Sequence, residues 1–207
     1  MLFDRRQMIG GLMGAACCPP LVSTKALAIP ADGEFHIICG MQHTATGMGI
    51  QKPRTPAPEA KRVIGWISDA IGVRPTFEVL EADFSRGGIA AAATRGDHRY
   101  VLYDAKWFTF EKNTVGWYAL FVLAHEIGHH IHGHTHGFKP SRHQGELDAD
   151  RFGGWIVARL GGRLDQALSF MPYLSETGSK SHPPRGKRIE ATIAGWKSGS
   201  GTEGPHE

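Results

Sequence analysis

Leu123-Ala124-His125-Glu126-Ile127-Gly128-His129 closes an apolar run that begins at Trp117, and the way this stretch must fold decides the rest of the chain. The spacing predicts a helix over about Val115 to His132, because four helical residues bring His125 and His129 to within about 40° of each other on one face. Two imidazoles so placed can hold one divalent ion. Glu126, one position after the first histidine, projects beside them, where a general base for hydrolysis has to stand. The apolar residues Trp117 to Leu123 mark the helix as buried. A buried His-Glu-His cluster is costly unless a metal or hydrogen bonds satisfy it.

A catalytic zinc takes three protein ligands and keeps a fourth position open. The metzincin route to a third ligand fails, since His132 stands where that pattern needs Gly and Thr135 where it needs His. The better candidate is Glu146, which opens a helix expected over about Gln144 to Leu160, after a Gly- and Pro-containing connection that lets the chain fold back. Asp150 lies one turn further along the same face, positioned to accept a hydrogen bond from the outer nitrogen of His125. The candidate metal ligands are therefore His125, His129 and Glu146, with Glu126 as base and one Zn2+ per chain. Two histidines and a carboxylate suit zinc by ligand type.

Working outward, Pro58 to Gly72 carries Val63, Ile64, Ile67 and Ile71 at helical spacing, with proline at the start and glycine at the stop. Three β-favouring segments follow, Thr76 to Leu80, Ile89 to Thr94 and Tyr100 to Tyr103, the last two joined by a turn over Arg95 to Arg99. Beyond the metal-motif helix come further helices over about Leu164 to Ser175 and Pro184 to Lys197. The order predicts an α+β fold; the His125-Glu126-x-x-His129 motif makes the expected fold zincin-like, a small antiparallel sheet packed on a metal-binding helix bundle. Residues 58–197 form the expected domain, 29–57 an extended N-terminal segment with a proline-rich linker, and 198–207 a disordered tail.

With 207 residues, 41% hydrophobic and 21% charged, the chain can bury one sizeable core. The formal charge of +3 includes no run of five basic residues, which argues against nucleic acid as a partner. Arg5-Arg6, a Gly-rich apolar stretch and Ala26-Leu27-Ala28 read as a twin-arginine export signal over residues 1–28, cleaved after Ala28, with the mature protein in the periplasm. No integral membrane span is expected in the mature chain. Cys17 and Cys18 leave with the signal, so Cys39 remains as a lone thiol, read as buried and inert rather than as a latency ligand despite His36 and His43 nearby. Nothing in the sequence sets an oligomeric state.

His125-Glu126-x-x-His129, Glu146-x-x-Ala149-Asp150-Arg151 and His182-Pro183-x-x-x-x-Arg188-Ile189 together resemble the HtpX and CAAX-prenyl-protease type of zinc metallopeptidases, over about residues 60 to 197. The resemblance implies that His182 lies across the cleft near the reacting carbonyl, where it can stabilise an oxyanion, and that Arg188 returns positive charge to the acidic surroundings of Asp150. The membrane-embedded members carry hydrophobic spans around the catalytic helix and this chain carries none, which points to a soluble envelope enzyme. The expected function is a zinc endopeptidase acting on unfolded or extended polypeptides, with substrate lying along Tyr100 to Tyr103. Two alternatives stand beside it: a non-catalytic periplasmic metal-binding or chaperone-like protein, and a regulatory gluzincin resembling ImmA and IrrE. Glu126 counts against the first, and the export signal and the His182–Arg188 motif against the second.

Overall fold

A computed structural model describes residues 2–4, 34–40, 50–85, 87–108, 114–135 and 141–201. Its architecture is α+β, a five-stranded, mostly antiparallel sheet with helices on one face. Pro58 starts α1 (Pro58–Ile71), and Gly72, left-handed at φ 70°, ends it by donating its backbone N–H to Ser68. The apolar side of α1, Val63, Ile64 and Ile67, packs into the main core with Leu120, Phe121 and Ile127.

The sheet is larger than the sequence implies. To β4 (Glu78–Phe84), β5 (Ala90–Arg95) and β6 (His98–Tyr103) it adds β2 (His36–Gly40) and β3 (Ile50–Arg54), in the order β2-β5-β6-β4-β3. The hairpin β5–β6 turns at Gly96 and Asp97, with Gly96 at φ 56°. Strands β4 and β6 pair in parallel, a non-local pairing that alternation of apolar residues does not reveal. The proline-rich stretch expected as a linker contributes β3 at the sheet edge, where Pro53 lacks an N–H that the ladder would need. Register slips between Gln51 and Arg54, and Arg54 reaches back to Glu81 at 2.7 Å and Asp83 at 3.0 Å.

A short strand β7 (Thr114–Gly116) leads directly into α2 (Trp117–Ile131) and pairs with β1 (Leu2–Asp4). The rest of the expected export signal, with Cys17 and Cys18, lies outside the described residues, as does His43. Helix α3 (Arg142–Arg159) is capped by Ser141, whose hydroxyl accepts from the Gln144 N–H at 3.2 Å. The single helix expected over Leu164 to Ser175 is α4 (Leu164–Ala167) followed by a 3-10 turn, Met171–Tyr173; Pro172 cannot supply the N–H that a continuous helix requires. Helix α5 (Arg185–Ser200) runs beyond Lys197 to a left-handed Gly201 cap, so residues 198–200 are helical rather than tail; 202–207 lie outside the described residues.

Glycines set how closely the helices pack. A Cβ on Gly195 would lie 1.8 Å from the Arg151 carbonyl oxygen, and one on Gly154 would lie 2.2 Å from that of Thr192, so α3 and α5 meet backbone to backbone. At Gly128 a Cβ would come within 3.1 Å of the Ala149 Cα. These contacts hold α2, α3 and α5 close enough for short side chains to converge. Among the described residues, no helix is long and apolar enough to cross a membrane.

Candidate metal centre

Three elements deliver the site. Helix α2 presents His125, Glu126 and His129, all buried; α3 presents Glu146 and Asp150 one turn apart; α5 presents Arg188, 1% exposed. Nε2 of His125 lies 3.2 Å from Nε2 of His129 and 3.4 Å from Oε2 of Glu146, and Nε2 of His129 lies 3.6 Å from Oε1 of Glu146. The three expected ligands therefore point their donor atoms at one spot.

What stands behind them fixes their orientation. His125 Nδ1 donates to Asp150 Oδ1 at 2.9 Å, which leaves the lone pair of the neutral ring on Nε2. Arg188 grips the same carboxylate with Nε at 2.6 Å from Oδ2 and Nη2 at 2.8 Å from Oδ1, and also approaches Glu146 Oε2 at 3.4 Å. His129 Nδ1 lies 3.0 Å from Nδ1 of His134; when His129 is the donor, its own Nε2 lone pair also faces inward.

Two imidazole lone pairs 3.2 Å apart beside a carboxylate repel one another unless a cation lies among them. Without an ion, a proton takes that place. Burial opposes the charge on His125, but hydrogen bonds to Asp150 and Glu146 overcome it and push its pKa up to about 9. Burial and the neighbouring His125 charge hold His129 well below the usual histidine range. Glu146 stays well below the usual carboxylate range: burial works against this, and His125 outweighs it. The donor set thus fits a divalent metal ion, whose identity the geometry leaves open.

Glu126 is tied differently. Its Oε2 accepts the Ala92 N–H of β5 at 2.7 Å, while Oε1 is buried with no hydrogen-bond partner. Burial raises its pKa to about 7, with His125 and Glu146 both acting on its charge. That is the range in which a carboxylate can take and return protons at neutral pH.

His182 comes from the loop before α5. Gly178, at φ 73°, shapes that loop; Ser179 donates its N–H to the His182 carbonyl at 2.8 Å and accepts the His182 N–H on its hydroxyl at 3.1 Å. Ser181 Oγ lies 2.9 Å from His182 Nδ1, and His182 Nε2, buried without a hydrogen-bond partner, lies 3.7 Å from Glu146 Oε2. Burial lowers its pKa, so the ring is neutral. All seven residues singled out from the sequence, His125, Glu126, His129, Glu146, Asp150, His182 and Arg188, gather around one centre.

An eighth residue was missed. Cys39, 4% exposed on β2, sets its Sγ 2.7 Å from Glu146 Oε1 and 3.9 Å from His125 Nε2. Its donor atom and those of His125, His129 and Glu146 all lie within 4.8 Å of one another. It is buried, as the sequence reading has it, but it faces the ligands rather than inert core. The available signal was the His36 and His43 neighbourhood, which carries no direction.

One further expectation changes. Strand β6, expected to bind substrate, lies between β5 and β4 with both edges already hydrogen-bonded, so it has no free edge for a peptide. The histidines after His129 pack into the fold: His130 is buried, meets the Tyr100 carbonyl at 2.9 Å through Nε2 and stacks on Phe77, and His134 Nδ1 faces His129 Nδ1 at 3.0 Å. His132 does serve the helix end, donating from Nδ1 to the Gly128 carbonyl at 2.9 Å. His136 lies outside the described residues. No family model, curated protein or solved structure matches the chain.

Proposed function

We propose that the protein is a zinc-dependent endopeptidase that cleaves unfolded or extended polypeptides, an exported relative of the HtpX and CAAX-prenyl-protease type working in the cell envelope. The observation that carries this reading is Glu126: a buried carboxylate with one oxygen unpartnered, its pKa raised to about 7, on the residue next to a convergent His-His-Glu donor set. A site built only to hold metal has no use for such a group. Zinc bound by His125, His129 and Glu146 would polarise a peptide carbonyl and acidify a water molecule. Glu126 takes the proton at its Oε1 and returns it to the departing amine, while the Ala92 N–H keeps the carboxylate aimed. Asp150 holds the His125 ring, Arg188 holds Asp150, and the neutral His182 offers its Nε2 to the developing oxyanion as a donor.

A second reading, a metal-binding protein without turnover, draws support from Cys39, because four protein donors make a closed site of the structural kind. Cleavage of an unfolded protein separates the two. With metal content measured throughout, the zinc-loaded chain and its Cys39→Ser variant are each compared with and without Glu126→Gln. The peptidase reading expects digestion in at least the Cys39→Ser background, falling by roughly 10²–10⁴-fold when Glu126 becomes Gln at equal zinc content. If every form binds one zinc and none cleaves, the second reading replaces it.

A further inference from the structure

We propose that β2 is an internal plug: it occupies the edge of β5 on which an extended polypeptide would pair, and it delivers Cys39 as the ligand that closes the metal's remaining position. The peptide half of this inference rests on the endopeptidase reading; the metal half stands on geometry alone.

The first observation is the placement of the edge. Strand β5 is bound on one side by β6, and its other side, next to the metal helix, is covered by β2 in antiparallel register from His36 opposite Thr94 to Gly40 opposite Ala91. Ala92 of that same strand holds Glu126. A polypeptide lying antiparallel on β5 would thus pass beside the proposed base, and backbone pairing of this kind is indifferent to side chains. Residues 36–40 already make that pairing.

The second observation is a bulge. Ile37 stands opposite Ala93 but Cys39 opposite Ala92, so Ile38 is an extra residue in the ladder. Ile37, Ala91 and Ala93 all face the second hydrophobic cluster with Leu80, Tyr100 and Leu102, away from α2. In a regular strand Cys39 would share the face of Ile37. The extra residue turns it over, and the thiol meets Glu146 and His125. A bulge that flips one side chain from an apolar face into a cluster of metal donors is a device for placing that side chain.

The third observation is that the plug is fastened outside the site. Phe35, just before β2, lies under the Arg95 guanidinium at 3.7 Å and edge-on to Tyr100 at 5.2 Å. These contacts hold the strand without using the metal.

Cobalt(II)-loaded full-length protein tests the inference without any peptidase assay. Thiolate ligation gives a sulfur-to-cobalt charge-transfer band in the near ultraviolet, expected in the wild type and absent from Cys39→Ser and Cys39→Ala. Acetohydroxamate, a bidentate metal ligand, then probes the closed position through the visible cobalt spectrum. A tethered thiolate competes at high effective concentration, so both variants should bind hydroxamate at least about tenfold more tightly than the wild type. A wild type without the charge-transfer band overturns the proposal even if a variant fails to fold, and so does equal hydroxamate affinity in wild type and variants. If the band and the affinity difference are found but no form cleaves protein, the endopeptidase reading falls and the metal-closing role of β2 stands.

Discussion

Replacing Arg188 by Met removes the only guanidinium seen to touch Asp150 among the described residues and leaves two buried carboxylates, Asp150 and Glu146, sharing the protonated His125 of the metal-free protein, with one negative charge in excess. The ion pair has hydrogen bonds of 2.6 and 2.8 Å between side chains that are 2% and 0% exposed, so solvent does little to screen it. Removing one partner of such a pair costs about 3–5 kcal/mol, most of it the penalty of a stranded charge. For a chain of this size each kcal/mol moves the melting temperature by roughly 2–4 °C, which gives an expected fall of roughly 6–20 °C in the metal-free protein. Saturating zinc should recover part of the loss, because the ion meets Glu146 but not Asp150. The double variant Asp150→Asn with Arg188→Met should be more stable than Arg188→Met alone, since the stranded charge is gone. Thermal unfolding followed by circular dichroism, with and without zinc, measures all of these. A metal-free Arg188→Met protein within about 1 kcal/mol of wild type would refute the reasoning, because it would mean that the interior around Asp150 is wet.

Zinc binding should release protons. His125 carries one in the metal-free protein up to about pH 9, and the buried Cys39 thiol, raised well above its ordinary value by burial and by Glu146, carries another. At pH 7 the wild type should therefore release about two and Cys39→Ser about one, read by calorimetry in buffers of different ionisation enthalpy. The sign follows: affinity climbs as pH rises, by about tenfold per pH unit for each displaced proton, and the His125 contribution levels off above about pH 9. Release of no proton at pH 7 would contradict both assignments. On helix packing, Gly195→Ala should destabilise despite the better helix propensity of alanine, worth ~1 kcal/mol, because its Cβ would sit 1.8 Å from a backbone oxygen that cannot move alone. Gly186→Ala, on the same helix with nothing within 4 Å, should gain up to ~1 kcal/mol; denaturant titration of the two compares them, and an equal effect at both positions would sink the close-packing argument.

The parts of this molecule that could be read from its sequence are those whose geometry is local. His125 and His129 share a helical face by spacing alone, and Glu146 and Asp150 do so again one helix later. The strands β5 and β6 announce themselves because a Gly-Asp turn joins two β-favouring runs. What could not be read depends on pairings far apart in the chain: the parallel register of β4 with β6, the recruitment of a proline-rich stretch as β3, and above all β2. Cys39 shows why. Period-two alternation from Phe35 through Ile37 would place it on the apolar side of the sheet, and Phe35 and Ile37 do lie there. Only the slip at Ile38 reverses its direction, and a bulge is a property of two strands fitted together, invisible in either alone. The residue that was hardest to read is thus the one whose position depends most on the finished fold. If its thiol completes the metal's coordination, the site can close only after β2 has docked on β5, so metal loading in the closed form reports on sheet assembly as well as on the helices.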